Sequence, residues 1–276
     1  MDIEIKRGLA EAWGLASEHW RTLAAYVGLG VVLPYLLLSS EPIFSLRTIL
    51  AILADPFTYR VGGSITGPLY LIGIVAVIVA GAMLAAWNAI GAEIREGYIS
   101  EIMYGMVAGF AYLIVNILFG VAVGVLAILP VVVIVGATGF AESAGHPLFE
   151  AYRLLVSLAG SWIGARLCLA GAIMGTRGKL DPFSAFAESW RLTRSAQWRL
   201  FGFYFLYGII VAIPVFGLAV AHGAIILSSA PGSTIEMAIS FGWLLLFAAY
   251  FLGQILIPAG LLQTVRPAGT AAEVFA

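Results

Sequence analysis

Six apolar runs, at residues 22–39, 69–90, 107–135, 154–174, 200–227 and 239–262, constrain this chain more than any other feature. They are long enough to cross ~30 Å of hydrocarbon at 1.5 Å per residue. In lipid only helices and closed barrels satisfy their own backbone, and unbroken apolar runs exclude the alternating pattern of barrel strands. The fold class is therefore all-α: a polytopic helical membrane bundle with six transmembrane helices, in one domain over residues 1–276. Composition agrees. Of the residues 62% are hydrophobic and 11% charged, too little charge to coat a water-facing surface when soluble domains carry about 25%. The third run is overlong, and Pro130 near its end predicts a tilt or kink rather than two short spans. Asp2, Glu4, Glu11 and Glu18 precede the first run and no small-x-small site follows it, which predicts a retained span rather than a cleaved leader.

Lysine and arginine set the orientation. Lys6, Arg7, Arg21, Arg95, Arg177, Lys179, Arg191, Arg194, Arg199 and Arg266 share one side, against Arg47, Arg60 and Arg153 on the other. The richer side is cytoplasmic by this rule, so both termini are expected inside. In the first outer loop, residues 43–53 are too short to span and read as an interfacial or re-entrant helix; the last outer turn is tight, around Pro231-Gly232.

A net charge of −1 gives no reason to expect nucleic acid, and the single cysteine, Cys168, excludes an intramolecular disulfide and every multi-cysteine metal site. Cys168 reads as a packed thiol. His146, His222, Glu142 and Glu236 all fall near the outer face but lack metal-ligand spacing, so they read as scattered polar residues. No P-loop, His-Glu-x-x-His or nucleophile elbow occurs, and Gly62-Gly63-Ser64-Ile65-Thr66 lacks the closing glycine of the last. No catalytic residue, metal or cofactor is expected.

A pattern repeats along the chain. Ala10-Glu11-Ala12-Trp13 returns as Ala187-Glu188-Ser189-Trp190, followed in turn by Trp20-Arg21 and Trp198-Arg199, with a weaker middle copy at Ser100-Glu101-Ile102-Met103. Each copy precedes two spans. This suggests three hairpins, over 1–91, 92–175 and 176–266 with a tail at 267–276, each introduced by a short cytoplasmic interfacial helix.

Within the spans, Gly105, Gly109, Gly120 and Gly124 share one helical face, as do Gly160, Gly164, Gly171 and Gly175. Such faces let helix backbones approach closely, and packing between consecutive helices is the reading preferred over a sliding seam. Arg166 is the costliest residue, roughly 12 Å deep by residue count. Gln254 and Asn116 are its partners by depth, with Glu93 and Glu96 in reach if it bends inward. Either it contacts a substrate, lipid headgroup or anion, or it clamps helix ends through hydrogen bonds.

The loop after the fourth run is the most informative segment. Asp181 caps a helix with Pro182 at its first position. Phe183, Phe186, Ala187, Trp190, Trp198 and Phe201 then share one face opposite Ser184, Glu188, Ser195 and Arg199, with Arg191 at the boundary and Arg194 on the apolar side. An in-plane helix running to Arg199, with Trp190, Arg191, Arg194, Trp198 and Arg199 at headgroup level, follows. The run Asp181-Pro182-Phe183-Ser184-Ala185-Phe186-Ala187-Glu188-Ser189-Trp190-Arg191-Leu192-Thr193, with Arg166 before it and Trp198-Arg199 after it, resembles the membrane domain of glycerophosphoryl diester phosphodiesterases. Standalone bacterial six-span proteins of unassigned role share that pattern. The likeness is strongest over residues 161–214 and loose elsewhere. It implies a six-helix membrane module without known chemistry of its own, and with the phosphodiesterase catalytic domain absent here, enzymatic activity is not carried over. The expected role is structural, accessory or lipid-associated, with membrane lipids as partners and a protein docking at 176–199 as a second kind of partner. The rivals are a small transporter or lipid flippase built around Arg166, and a membrane enzyme acting on glycerolipids.

Overall fold

The computed structural model describes residues 3–39, 66–92, 95–142, 147–228 and 233–265, and these form helices without a strand. Six helical stretches are long and apolar enough to cross a membrane: Trp20–Ser39, Leu69–Gly91, Tyr98–Ile134, Pro147–Thr176, Arg194–Ile225 and Thr234–Val265. The chain is thus a multi-pass membrane protein. The outer-loop stretch 43–53, Arg47, Arg60, residues 62–65 of the glycine-serine motif, Glu93, His146, Pro231, Gly232 and Arg266 lie outside the described residues.

Helix α1 (Ile5–Glu18) is a separate amphipathic helix, with Gly8, Ala12 and Leu15 on its buried face and Trp13 on its exposed one. It packs on the end of α10 (Thr234–Val265). The crossing is tight, because a Cβ at Gly260 would collide with the Gly8 carbonyl and with Ala12, and one at Gly8 would meet Leu261. That contact defines the base of the bundle.

The first span runs through α2 (Trp20–Val27), a π-turn (Gly28–Val32) and α3 (Leu33–Ser39). Pro34 has no N–H for the Gly30 carbonyl and its ring crowds that oxygen. The wider π register, with Leu33 N–H donating to the Gly28 carbonyl, takes up the mismatch. Gly30 also lets the Phe251 ring approach where any side chain would clash.

Helices α4 (Thr66–Gly91) and α5 (Tyr98–Glu142) form a close hairpin. Pro130 lies inside α5, which stays one helix as the overlong run predicted. Gly105 and Gly109 press on Gly81 and Ala85 of α4, and Gly171 and Gly175 press on Trp87. The remaining four do not pack: a Cβ at Gly120, Gly124, Gly160 or Gly164 would have nothing within 4 Å. The expected seam between the third and fourth spans is therefore corrected. The packing glycines of both spans serve α4 instead, at the base, and the others face open space.

The fourth span is broken. Helix α6 (Pro147–Leu167) stops, Cys168 and Leu169 turn, and α7 (Ala170–Thr176) continues. Gly178 then ends α7 in a left-handed conformation, φ +60°. Lys179 N–H donates to the Met174 carbonyl at 3.0 Å and Gly178 N–H to that of Gly175 at 3.1 Å, the Schellman pattern for which glycine is suited. Three residues on, Asp181 caps α8 (Pro182–Leu192), its carboxylate accepting from the N–H groups of Phe183 and Ser184. These adjoining stop and start signals fold α8 back against α7. A 3-10 turn (Arg194–Ala196) leads into α9 (Gln197–Ser228). The in-plane helix to Arg199 is thus corrected: it ends at Leu192, and Trp198 and Arg199 belong to the first turn of the fifth span. The middle repeat has no separate short helix among the described residues either, since Ser100 to Met103 are the first turns of α5 itself.

The core sits at the base, where Leu84, Leu169, Ile173, Met174, Leu200, Ile255, Leu261 and Leu262 are fully buried. Away from it the helices splay. The apolar window of the fifth span has 0% of its residues buried within the protein and that of the third 6%, so hydrocarbon must cover what protein does not.

Candidate functional site

Arg166 is the penultimate residue of α6 and only 4% exposed. Because the helix breaks just after it, its carbonyl is among the last four, which lack helical partners. Two hydroxyls from α8 and its C-cap take the role: Ser189 Oγ at 2.9 Å and Thr193 Oγ1 at 3.0 Å. The guanidinium reaches the same segment. Nε donates to Thr193 Oγ1 at 3.1 Å, Nη1 to Gln197 Oε1 at 2.8 Å and Nη2 to the Trp190 carbonyl at 2.5 Å. Its carbon lies 3.9 Å from the Trp190 ring centroid and 5.5 Å from that of Trp162.

No carboxylate takes part in these contacts. The charge is met by neutral oxygens, by two aromatic faces and by the C-terminal end of α8, whose last carbonyls carry partial negative charge. Each guanidinium nitrogen donates one bond to this segment, and the side chain is enclosed among helices rather than facing an open path. It joins the broken fourth span to α8 and to the first residue of the fifth span.

A second polar knot lies at the start of α5. Glu101 is 2% exposed. Arg95 Nε and Nη2 meet its two oxygens at 2.8 and 2.7 Å, and the Tyr26 hydroxyl donates to Oε2 at 2.5 Å. Arg95 Nη1 also donates to Thr22 Oγ1 at 2.8 Å, and its guanidinium lies 4.7 Å from the Tyr98 ring. The hydrogen bond to Glu101 holds the Arg95 guanidinium above its ordinary pKa. This knot ties the first span to the third. The repeat had marked Glu101, but nothing in local pattern points to Tyr26 or Thr22.

The other repeat glutamates also meet cations that precede them. Glu188 accepts from Arg177 at 2.7 and 2.8 Å with Lys179 3.8 Å away, and Glu11 lies 3.7 Å from Arg7. Glu96 accepts from Ser100 instead of Arg166.

Asn116 and Gln254, the partners expected for Arg166 by depth, are not its partners. Both line a cleft of about 1040 Å³ among the second to sixth spans, of which Arg166 is not a wall. The Arg166 side chain instead meets α8 and the residues that follow it, while Cys168 lines the cleft. His222 is buried, its Nδ1 accepting from Trp243 Nε1 at 3.3 Å, and among the described residues no cluster of His, Cys, Asp or Glu fits a metal ion.

Around α8, Phe183 and Trp198 are strongly exposed and Trp190 partly so. Trp162 gathers the two tryptophans, with centroids 5.6 Å from Trp190 and 6.3 Å from Trp198, and Phe186 stacks on Tyr112 at 5.4 Å. Arg191 and Arg194 are exposed and border a notch with Ser195 and Val265. No known family, no curated protein and no solved structure matches this chain.

Proposed function

We propose that this chain is a bacterial inner-membrane protein with both termini cytoplasmic and a structural, accessory or lipid-associated role rather than a catalytic one. The observation that supports the reading is the enclosure of Arg166, 4% exposed and bonded through each guanidinium nitrogen to Trp190, Thr193 or Gln197. A transport site centred on that arginine needs a free guanidinium facing an accessible path, and here it is spent on holding helices together. On this reading α8 is a surface anchor. Its exposed aromatics lie at headgroup level, and Arg191 and Arg194 face anionic lipid at about 1 kcal/mol each. On this reading the likeness of residues 161–214 to the phosphodiesterase membrane domain reflects a shared membrane module.

The test is complementation of a deletion strain, scored by lipid composition, with variants at Arg166. Function should track the amount of folded protein, with Arg166→Lys and Arg166→Gln losing both together. A fully folded Arg166→Gln that fails to complement would overturn the reading and return the arginine to a substrate site.

A further inference from the structure

The cleft among the second to sixth spans is a feature that this reading leaves unused. Its volume, about 1040 Å³, is at the upper end of the ~300–1,000 Å³ typical of small-molecule pockets. Glycines keep it wide: Gly120, Gly164 and Gly208 line it, and a Cβ at any of them would have nothing within 4 Å. Ser161, Phe119 and Tyr250 on its walls are exposed at the side of the bundle, so it opens laterally, toward lipid.

The polar groups on its walls are all neutral. No Asp, Glu, Lys or Arg is among the described lining residues. The Tyr207 hydroxyl lies beside the Gln254 amide, and that of Tyr112 beside Asn116. Tyr207 and Tyr250 stack at 6.4 Å. The Tyr204 hydroxyl is buried without a conventional hydrogen-bond partner among the described residues. Beside it is the Cys168 thiol, a weak donor and weak acceptor. A buried hydroxyl left in that state is a standing cost, which a ligand oxygen would remove.

We propose that this cleft binds an uncharged lipid with a small oxygen-bearing head, its hydroxyl or carbonyl oxygens meeting Tyr204, Tyr207 and Gln254. A phosphate head is disfavoured because its charge would lie among apolar walls with no cation to pair it. Diacylglycerols and isoprenoid quinones share the required chemistry. The proposal rests on the lipid-associated reading above but uses different residues, so its failure leaves the Arg166 clamp standing.

The experiment is native mass spectrometry of the full chain with dioleoylglycerol, a ubiquinone and, as the charged control, dioleoyl phosphatidylglycerol. Saturable retention of either neutral lipid over phosphatidylglycerol is expected. Diacylglycerol alone assigns a hydroxyl head, and quinone alone a carbonyl head. Gly164→Leu, which grows a side chain into open space, should lower retention at least about tenfold with thermal melting unchanged. Tyr204→Phe removes one hydroxyl and no ring; it should melt no earlier than wild type and bind about tenfold more weakly. Equal retention of phosphatidylglycerol, no retention of either neutral lipid, or Tyr204→Phe binding as wild type would overturn the proposal.

Discussion

The Ser189 hydroxyl donates to the Arg166 carbonyl across 2.9 Å and 23 residues of sequence. It satisfies a backbone acceptor that the break in the fourth span leaves without a helical partner. The broken helix and the returning α8 are therefore one unit.

Removing that hydroxyl tests the unit. Ser189→Ala should cost about 1 kcal/mol, since Thr193 still reaches the same carbonyl. The double variant Ser189→Ala/Thr193→Ala should cost more than either single change. Unfolding in mixed detergent micelles measures this; a double variant as stable as wild type would dissolve the unit.

Arg166→Leu should cost about 1–3 kcal/mol, because the Gln197 amide oxygen and the Trp190 carbonyl lose a charged donor in a buried place. Arg166→Lys should recover little of it. An ammonium on a flexible stem cannot serve three acceptors in the fixed fork and stack on Trp190 as well. Equal melting of wild type and both variants would remove the clamp.

The spans were legible because six long apolar runs admit no other solution, and the start of α8 because Asp181-Pro182 is a local signal. The partners of Arg166 were not. Residues Pro147–Thr176 read as one span by hydropathy, so depth counted along a straight helix pointed to Gln254 and Asn116. The break at Cys168 and Leu169 is not written in hydropathy, and neither is the return of α8 to Arg166. One signal was present: Ser189, Thr193 and Gln197 are spaced by four and so share one helical face, a polar stripe within reach of a buried cation. The Glu101 knot was legible by half, since Arg95 lies nearby in sequence while Tyr26 is 75 residues away.

Glu101→Gln should cost about 1–3 kcal/mol, because Arg95 and Tyr26 then share a neutral oxygen and a misplaced amide donor. Tyr26→Phe should cost less, about 1 kcal/mol, with the Arg95 pair intact. Melting curves that rank the two in the opposite order would show that Tyr26 rather than the ion pair holds the first span to the third.

Orientation rests on ten basic residues against three. Reporters fused after Val265 and within 177–199 should read cytoplasm, and fusions within 47–60 the opposite side. An outer-side signal from 177–199 would invert the topology, because five of the ten cations lie there.

The depth of α8 and of the first turn of α9 can be read from Trp190 and Trp198, one in each. Trp198 is 68% exposed, whereas Trp190 is 38% exposed and has Arg166 over one face and Trp162 against its edge. If α8 lies at headgroup level, brominated lipids should quench Trp198 strongly in a single-tryptophan protein, most by shallow bromines. Trp190 should be quenched from the same depth but less, since protein covers part of its ring. Charge-neutral vesicles should lower both signals if Arg191 and Arg194 hold the segment on anionic lipid, and added salt should do the same. Two water-exposed tryptophans would make α8 a soluble docking segment, and two blue-shifted but unquenched ones would bury it in the bundle. Either outcome defeats the surface-anchor reading, while the Arg166 clamp, made by Trp190, Thr193 and Gln197 wherever the membrane surface lies, would survive both.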